Sequence, residues 1–277
     1  MNNMHFWKMH GAGNDFVLVD DRAETFPVHD HLRLAAFAGV RTGIGCEGVI
    51  LVQNSKVADF RMVFFNPDGT EADLCGNGAR CVAAFAREIG AAKSSSMTFE
   101  TRAGLVDAEV QESGQVKVWM PEPKNRRYDL HVGDAHGDFI VTGVPHFVVA
   151  CESVSAVDVE TKGRELRLAE AFAPNGTNVD FVQYIPPNKA ILRTYERGVE
   201  AESGACGTGA IATAVVGVET KGLSLPMHIR TSQGFVLTID GDWRRAKSTG
   251  FTLTGPVKKV FEGDIDLDAL DVSNEME

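Results

Sequence analysis

Residues Cys75–Cys81 read CGNGARC, and residues Cys206–Ala212 read CGTGAIA. Each stretch places a cysteine and two glycines where a run typical of a helix begins. The first run continues to Gly90 as GNGARCVAAFAREIG, and the second continues to Gly222 as GTGAIATAVVGVETKG. Helices this poor in polar residues are expected to be buried on all sides. The two stretches therefore predict a fold built round two central helices, each beginning at a cysteine turn.

The chain repeats itself beyond these turns. The two cysteines stand 131 positions apart (206 − 75), and other pieces recur in the same order at nearly that offset. The further matching pairs are Asn14–Asp20 with Pro145–Cys151, Leu51–Gln53 with Phe181–Gln183, Thr101–Val106 with Thr231–Val236, and Val116–Pro121 with Phe251–Pro256. We predict an N-terminal half, 1–121, that carries Cys75 and is joined by a last strand at about 256–277. The C-terminal half, 122–255, carries Cys206, and the active site is expected in the cleft between the halves.

Short apolar or alternating runs predict the strands, among them FVLVD, GVILVQ, FRMVFF, VDAEV and VKVWM. The stretch HLRLAAFAGV predicts a further helix, with the apolar face formed by Leu32, Ala35, Ala36 and Gly39. The expected fold class is α/β of the α+β kind. It consists of two pseudo-symmetric domains, each a curved, mostly antiparallel sheet or barrel wrapped round a central helix.

Composition narrows the class of protein. The chain has 277 residues, of which 44% are hydrophobic and 23% charged, and this is typical of a globular protein of two domains. The net charge is −11 and basic residues form no stripe, so we expect no nucleic-acid partner. No apolar run reaches the roughly 18 residues of a membrane span, and the start lacks a signal-peptide core. We therefore expect a cytoplasmic protein without a membrane partner, whose acidic tail after Gly263 stays solvated.

Five cysteines are present, and the odd number argues against a disulfide framework. Thiols are expected to be reduced in the cytosol. The sequence contains no C-x-x-C pair and no histidine pair at helical spacing, so no metal is predicted. Cys46, Cys81 and Cys151 lack the Cys-Gly-x-Gly setting, and we predict that they are structural.

A cysteine at a helix start has a specific chemistry. Free backbone N–H groups and the helix dipole lower the pKa of a thiol there, and the same groups can bind a carboxylate. Two such turns facing one substrate would place a thiol on each side of its α-carbon. One thiolate could remove the α-proton while the opposite thiol returns a proton, and both helix dipoles would stabilise the developing negative charge. This scheme requires neither pyridoxal phosphate nor a metal. The alternative is that each cysteine is a small buried hydrophobe.

The motifs resemble those of the diaminopimelate epimerase family. The opening KMHGAGNDFVLVD, the signature FNPDGTEADLCGNGARC, and the later TNVDFVQ and YERGVEAESGACGTGA are similar to family motifs in the same order. The resemblance covers nearly the whole chain. It implies two pseudo-symmetric α/β halves and an isomerase that interconverts LL- and meso-diaminopimelate, in the synthesis of lysine and of peptidoglycan precursors. It also implies a homodimer that acts on this small molecule without a cofactor.

The resemblance assigns roles to residues of this sequence. It implies that Cys75 and Cys206 are the catalytic bases. The residues implied to hold the substrate are Asn14, Asn66, Gly76, Asn77, Asn178, Glu196, Arg197, Gly207 and Thr208, and those implied to adjust the thiol pKa values are His146 and Glu196. The chain departs from many relatives at Val144, where they carry Asn, and at Gly48, where they carry Gln.

Other functions are compatible with parts of this pattern. Paired cysteines would also suit another cofactor-independent racemase, acting on proline, hydroxyproline or histidine. Arg197 with Asn66 and Asn178 favours a substrate with a charged distal end. Two further classes are a relative that works without cysteine chemistry and a thiol redox protein with a reversible Cys75–Cys206 disulfide. The first is opposed by the presence of both cysteines, and the second by the missing C-x-x-C motif.

Overall fold

The computed structural model describes residues 3–241 and 250–270. Within this range the chain forms two compact units. Unit 1 comprises residues 3–118 and 257–270, and unit 2 comprises 119–241 and 250–256. The end of the acidic tail, 271–277, for which we predicted a solvated role, lies outside the described residues.

The first part of the chain contains eight strands and two helices. They are β1 (Asn3–Gly11), β2 (Asn14–Asp20), α1 (His31–Ala38), β3 (Val49–Gln53), β4 (Phe60–Phe65), β5 (Glu71–Ala72), α2 (Gly76–Glu88), β6 (Ser96–Thr101), β7 (Gly104–Val110) and β8 (Gln115–Met120).

The second part repeats this plan. Its elements are β9 (Lys124–Val132), β10 (Ala135–Val141), β11 (Pro145–Ala150), α3 (Val159–Arg167), β12 (Asn178–Ile185), β13 (Lys189–Glu196), β14 (Ala201–Ser203), α4 (Gly207–Lys221), β15 (Met227–Arg230), β16 (Val236–Gly241) and β17 (Phe251–Asp266). Short 3₁₀ turns occupy Val154–Ala156, Glu170–Phe172 and Leu267–Ala269. The long strand β17 begins in unit 2 and ends in unit 1.

The two units have the same strand pairing. In unit 1, β1–β2 is antiparallel, β2–β3 parallel, β3–β4 antiparallel, β4–β6 parallel, and β6–β7 and β7–β8 antiparallel. In unit 2 the same series of orientations runs through β10, β11, β12, β13, β15, β16 and β17. The end of β17 adds an antiparallel partner to β1, and β17 also pairs with β8, so the strand order of unit 1 closes on itself. This arrangement confirms the predicted fold class.

Burial follows the pairing. The parallel strands β2 and β3 are nearly continuous buried runs, as expected where both faces of a sheet are covered. By contrast, β6 and β8 alternate between buried and partly exposed residues, as expected where one face meets solvent. The covered face of unit 1 lies against α2, which contacts β1, β2, β3 and β7. In unit 2, α4 contacts β10, β11, β12, β13 and β16.

The central helices α2 and α4 owe their close packing to glycine. A Cβ at Gly78 would lie 2.9 Å from Ile50 Cδ1, and a Cβ at Gly209 would lie 2.6 Å from Asp180 Oδ1. These glycines occupy the same place in the two cysteine turns. A side chain at either position would require its neighbour on the adjacent strand to shift, so glycine lets the first turn of each helix lie close to that strand.

The predicted apolar face of α1 is wrong. Leu32 is 54% exposed, whereas Leu34, Phe37 and Ala38 are buried. The helix begins after the cap Asp30, whose side chain accepts a hydrogen bond from the Arg33 N–H. The ring of Phe37 meets aromatic neighbours in unit 1, and burial of a large ring outweighs burial of several alanines. No helix among the described residues is both long enough and apolar enough to span a membrane.

Candidate active site

The first cysteine turn lies at the start of α2. Cys75 has extended backbone (φ −125°, ψ 124°), and its carbonyl accepts the first helical hydrogen bond from Ala79 N–H at 2.7 Å. Cys75 is therefore the N-cap residue, with Gly76 and Asn77 as the first two helical residues. The thiol is half-buried. A nucleophile or base at this place receives the positive end of the helix dipole.

Amide side chains surround Cys75. The Asn14 Oδ1 atom lies 3.6 Å from Cys75 Sγ and accepts a hydrogen bond of 3.0 Å from Asn77 Nδ2. The other end of the Asn14 amide donates to the carboxylate of Glu47, which fixes its orientation. The structure thus brings together Asn14, Cys75 and Asn77, all of which were predicted as site residues.

Arg80 is a further residue of this turn, and it was not predicted as a site residue. Its side chain is wholly buried, with 0% exposure. One guanidinium nitrogen donates to Asn77 Oδ1 at 2.8 Å and another to the Gly76 carbonyl at 3.3 Å. The hydrogen bonds run from Arg80 through Asn77 to Asn14. The sequence feature that could have indicated Arg80 is its position inside the motif CGNGARC.

Asn66 is differently placed. It lies directly after β4 in a turn, where its Nδ2 atom donates to Thr70 Oγ1 at 3.1 Å and its carbonyl accepts from Gly69 N–H. These contacts fit a turn-forming role, and the hydrogen bonds described do not join Asn66 to the amides round Cys75.

The second cysteine turn repeats the first in unit 2. Cys206 is the N-cap residue of α4, and its Sγ accepts from Gly209 N–H at 3.4 Å and lies 3.4 Å from Thr208 Oγ1. The residue is buried, with 6% exposure. Burial raises the pKa of the Cys206 thiol well above its usual value, and the negative charges of Glu196 and Asp180 raise it further. This environment favours the protonated thiol.

A buried polar chain leads to Cys206. Asp180 accepts from His146 Nδ1 at 2.7 Å, and His146 Nε2 lies 2.9 Å from Thr208 Oγ1. The side chains of Asp180 and His146 both have 0% exposure. Because the Asp180 carboxylate can only accept, His146 Nδ1 carries the proton of this hydrogen bond, and Nε2 faces the Thr208 hydroxyl. These contacts run without a break from Asp180 through His146 and Thr208 to the Cys206 thiol.

Asp180 was not predicted as a site residue, although it lies inside the motif TNVDFVQ. Its second oxygen accepts from Thr194 Oγ1 at 2.7 Å, so the buried carboxylate is fully engaged. The parallel register of β11 and β12 sets His146 opposite Asn178, and this places the Asn178 Nδ2 atom 3.4 Å from His146 Nε2.

The predicted clamp residues extend from Asn178. Its Oδ1 accepts from the Arg197 N–H at 2.8 Å, and this holds the backbone just after β13. The guanidinium of Arg197 contacts the Asn175 carbonyl at 3.4 Å. Glu196 and Arg197 are both half-buried. The structure therefore groups His146, Asn178, Cys206 and Thr208 and connects Arg197 to them through Asn178.

The two departures from the family pattern have different surroundings. A Cβ at Gly48 would lie 2.5 Å from the Phe64 ring and 3.1 Å from the Phe65 carbonyl, so any side chain there requires a shift of the strand neighbours. Val144 carries the carbonyl that accepts from Thr142 N–H in a tight turn.

All five cysteines are free thiols. Burial raises the pKa of Cys46 to about 11 and that of Cys81 to about 12, and it also raises the pKa of Cys151. These three thiols are therefore protonated at neutral pH. Their predicted structural role stays a prediction that agrees with this chemistry.

One group of side chains could hold a divalent ion. Asp129, His131 and His136 are exposed on the β9–β10 hairpin, with ligand atoms within 4.8 Å of one another. The two histidines are opposite partners in the hairpin and their rings stack. The spacing of these residues in the sequence gave no sign of the group, because only the hairpin register brings them together.

The repeated barrel and its cysteine-capped helices define a class of fold found in solved structures. One is a phenazine biosynthesis protein of the PhzF family from Bacillus anthracis, with TM-score 0.76 and 18% identity, covering 96% of this chain and 100% of that chain. Another is a hydroxyproline epimerase from Agrobacterium vitis, with TM-score 0.68 and 18% identity, covering 96% and 93%. At such identity the likeness shows the fold alone.

The sequence comparisons are more specific. The profile of the family described as diaminopimelate epimerase matches residues 6–125 and 139–260. The diaminopimelate epimerase of Aquifex aeolicus is 44% identical, covering 97% of this chain and all of the relative. That of Flavobacterium psychrophilum is 34% identical, covering 95% and 100%. The chain therefore belongs to the diaminopimelate epimerase family.

Proposed function

We propose that this protein is an isomerase that interconverts LL- and meso-2,6-diaminopimelate, with Cys75 and Cys206 as its two bases. The observation that carries the proposal is the equivalence of these cysteines. Each is the N-cap residue of the buried central helix in one of two units with the same strand pairing. The identity of the substrate is inferred from the family to which the chain belongs.

The reaction follows from the chemistry of the two turns. A thiolate removes the α-proton, so that the C–H bond breaks as an S–H bond forms. The electron pair moves onto the substrate carboxylate, where backbone N–H groups at a helix start oppose the growing charge. The other thiol then gives its proton to the opposite face of the same carbon. Product leaves with the protonation states of the two cysteines exchanged, and no cofactor takes part in this scheme.

The residues beside the two cysteines have separate roles in this mechanism. The backbone N–H groups of Gly76 and Asn77, and of Gly207 and Thr208, would bind the reacting carboxylate. His146 and Thr208 would carry the proton of Cys206, since Asp180 orients the imidazole toward the hydroxyl.

The rest of the substrate would meet the polar side chains. Asn14 and Asn66 are proposed to contact its polar groups. Glu196 and Asn178 would accept from an ammonium, and Arg197 would pair with the distal carboxylate. The hydrogen bond from Asn66 Nδ2 to Thr70 uses one amide hydrogen, so the Oδ1 atom and the second amide hydrogen would serve the substrate.

The test is deuterium incorporation from D2O into LL-diaminopimelate by the reduced protein, followed together with formation of the meso product. We expect exchange and inversion by the wild type, and loss of inversion in both Cys75→Ala and Cys206→Ala. Cys151→Ala is the matched control, because its thiol lies outside both turns, and it should keep full activity. Absence of exchange in the reduced wild type would refute the assignment.

A racemase of proline, hydroxyproline or histidine type is the second candidate. It is supported by the fold shared with a hydroxyproline epimerase, and it is opposed by Arg197, for which such substrates have no distal carboxylate. The same D2O assay with trans-4-hydroxy-L-proline, proline and histidine separates the two. In addition, Arg197→Met should raise KM for diaminopimelate by at least about tenfold, since a charge-assisted pair is lost.

The setting of the enzyme completes the proposal. We infer a cytoplasmic homodimer that serves lysine and peptidoglycan precursor synthesis, and the support is the family to which the chain belongs. Light scattering of the purified protein tests the dimer. Growth of a lysine- and diaminopimelate-requiring strain that carries the gene tests the biosynthetic role.

A further inference from the structure

The Arg80 guanidinium is a buried cation without a carboxylate partner. Among the described residues no acidic group forms an ion pair with it, and its Nε atom has no hydrogen-bond acceptor. Its two other contacts are to neutral oxygens, those of Gly76 and Asn77. A buried charge is costly unless an opposite charge compensates it. The structure therefore calls for a negative charge close to Arg80.

Two thiols are the titratable groups that interact electrostatically with Arg80, namely Cys81 and Cys75. Cys81 is wholly buried, and its pKa is raised to about 12, so it stays neutral near pH 7. Cys75 is half-buried at the positive end of a helix, where a thiolate is stabilised. Of the two, only Cys75 can supply the missing negative charge.

Hydrogen bonds connect the two groups as well. Arg80 donates to Asn77, and Asn77 donates to the same Asn14 oxygen that lies 3.6 Å from Cys75 Sγ. A donor polarised by a cation makes stronger hydrogen bonds along such a chain. The contact between Cys75 Sγ and the Asn14 oxygen by itself favours the S–H form. The hydrogen bond from Asn77 makes that oxygen a poorer acceptor and so weakens this opposition to the thiolate.

The other charged groups near α2 do not replace Arg80 as the cation that stabilises a Cys75 thiolate. Lys8 forms an ion pair with Asp15, and Glu47 is an exposed carboxylate that accepts from Asn14. The remaining titratable groups on the strands packed against α2 are His5 and His10 on β1, Asp20 on β2, and Asp107 and Glu109 on β7. Burial and the nearby Lys258 lower the pKa of His10, which makes its neutral form more abundant. Exposed charges are screened by solvent, whereas the buried guanidinium is not.

The second cysteine turn lacks this cation. The repeat offset places the apolar, buried Ile211 at the position of Arg80. The charges that act on Cys206 are instead the carboxylates of the half-buried Glu196 and the buried Asp180. Two turns of nearly the same sequence therefore lie in electrostatic surroundings of opposite sign.

We propose that Arg80 is a positioning residue whose buried guanidinium holds the resting Cys75 as a thiolate, while Cys206 rests as a thiol. The proton of Cys75 goes to solvent when the free enzyme ionises. This inference rests on the proposed two-base function and deepens it, because it states which cysteine begins as the base.

The test measures the ionisation of Cys75 without substrate. In a Cys206→Ala background, the rate of Cys75 alkylation by iodoacetamide is followed against pH, with the modified peptide identified by mass spectrometry. Arg80→Met, which keeps the volume and removes the charge, should raise the apparent pKa of Cys75 by at least about one unit, a tenfold loss of thiolate below that pKa. Arg80→Lys should restore most of it. Ile211→Met is the matched control in α4 and should leave the titration unchanged.

A second measurement avoids substitution in the core. In the wild type, the ¹⁵N–¹H signal of Arg80 Nε should shift with pH as Cys75 titrates, and this shift should be absent in Cys75→Ser. The proposal would be overturned if folded Arg80→Met kept the apparent pKa of Cys75 unchanged. It would also be overturned if the Arg80 signal in the wild type did not shift as Cys75 titrates.

Failure of this inference differs from failure of the proposed function. If Arg80→Met leaves the thiol titration unchanged while the wild type epimerises diaminopimelate, the role of Arg80 is wrong and the function stands. If the titration moves as expected but the wild type exchanges no diaminopimelate proton, the role of Arg80 stands and the substrate is wrong. In an active enzyme, Arg80→Met should move the acidic limb of the kcat/KM profile to higher pH, which a merely structural defect would not do.

Discussion

Single buried charges decide the chemistry of the two cysteine turns. The Asp180 carboxylate in unit 2 is engaged by His146 and Thr194, and its charge contributes to the raised pKa of the Cys206 thiol. A charge in a low-dielectric interior acts over several ångströms on its neighbours. The buried aspartate therefore has two effects, orientation of the imidazole and protection of the Cys206 proton.

Removal of the Asp180 charge should lower the pKa of Cys206. In Asp180→Asn the negative neighbour is lost, so the thiolate of Cys206 becomes less unfavourable. We expect a shift of about one pKa unit, and about a tenfold higher thiolate fraction at a given pH below the pKa. The measurement is the pH dependence of Cys206 alkylation in a Cys75→Ala background.

Asp138→Asn is the control for this prediction. Asp138 is also a buried aspartate of unit 2, but it accepts from the backbone of Asp129 and is not among the causes of the Cys206 shift. Its substitution should leave the Cys206 titration in place. An equal shift in both variants would mean that loosening of unit 2, and not the Asp180 charge, governs the thiol.

At the scale of the elements, α2 and α4 are equivalent helices that differ in how well they tolerate an added side chain. Both begin at a cysteine, and both carry glycine two residues after the first helical position. The neighbour of Gly78 is the flexible end of Ile50, whereas the neighbour of Gly209 is the hydrogen-bonded carboxylate of Asp180. The same added methyl group should therefore have different consequences in the two helices.

Gly209→Ala should destabilise the protein by about 1–3 kcal/mol, because the new methyl group displaces Asp180 from its partners. Gly78→Ala should be close to neutral, since the helix-forming advantage of alanine, about 1 kcal/mol, offsets a small shift of Ile50. Urea unfolding of both variants gives the comparison. Equal losses of stability would contradict the assignment of the cost to Asp180.

For the whole molecule, buried thiols make stability depend on pH. The folded-state pKa values of Cys46 and Cys81, about 11 and about 12, lie above the ordinary value of 9.0. A thiol whose pKa is raised on folding stabilises the protein fully below the unfolded pKa. That contribution is lost as pH rises from the unfolded toward the folded value.

The free energy of unfolding should thus fall above about pH 9, by about 1.4 kcal/mol per pH unit for each proton involved. Cys81→Ala removes one such group and should reduce this slope by one proton between pH 9 and the point of unfolding. Urea titrations at several alkaline pH values measure it. Cys151→Ala is the comparison, because that thiol is only half-buried, and a slope reduced equally in both variants would contradict the prediction.

A chain shortened after Pro256 tests the dependence of unit 1 on its last strand. The β1 residues from Asn3 to Gly11 pair with β17 residues from Asp266 to Val257. We expect the shortened chain to lose hydrogen-exchange protection in β1, while β12, whose partners all lie before Pro256, keeps its protection. Undiminished protection of β1 would show that its pairing with β2 alone is sufficient.

The fold class and the two central helices could be predicted from the sequence because the internal repeat indicates two similar halves. The helix starts at Cys75 and Cys206 follow from glycine and small residues, which have strong local preferences. Arg80 and Asp180 were missed because charged residues are usually exposed, and only tertiary packing shows that these two face inward. The face of α1 was predicted wrongly for a related reason, since Phe37 competes for burial through partners distant in the chain.

The path of β17 has a consequence for synthesis on the ribosome. Gly11 emerges 246 residues before its partner Val257 (257 − 11), a delay of roughly 12–50 s at ordinary rates of translation. During this interval one edge of β1 is open to pairing with other nascent chains. Unit 2 is continuous in the chain and can close first. The order of folding therefore differs from the order of translation, because β1 is translated first but completes its pairing last. We expect misassembly of this protein to occur mainly on polysomes, where neighbouring nascent chains are close together.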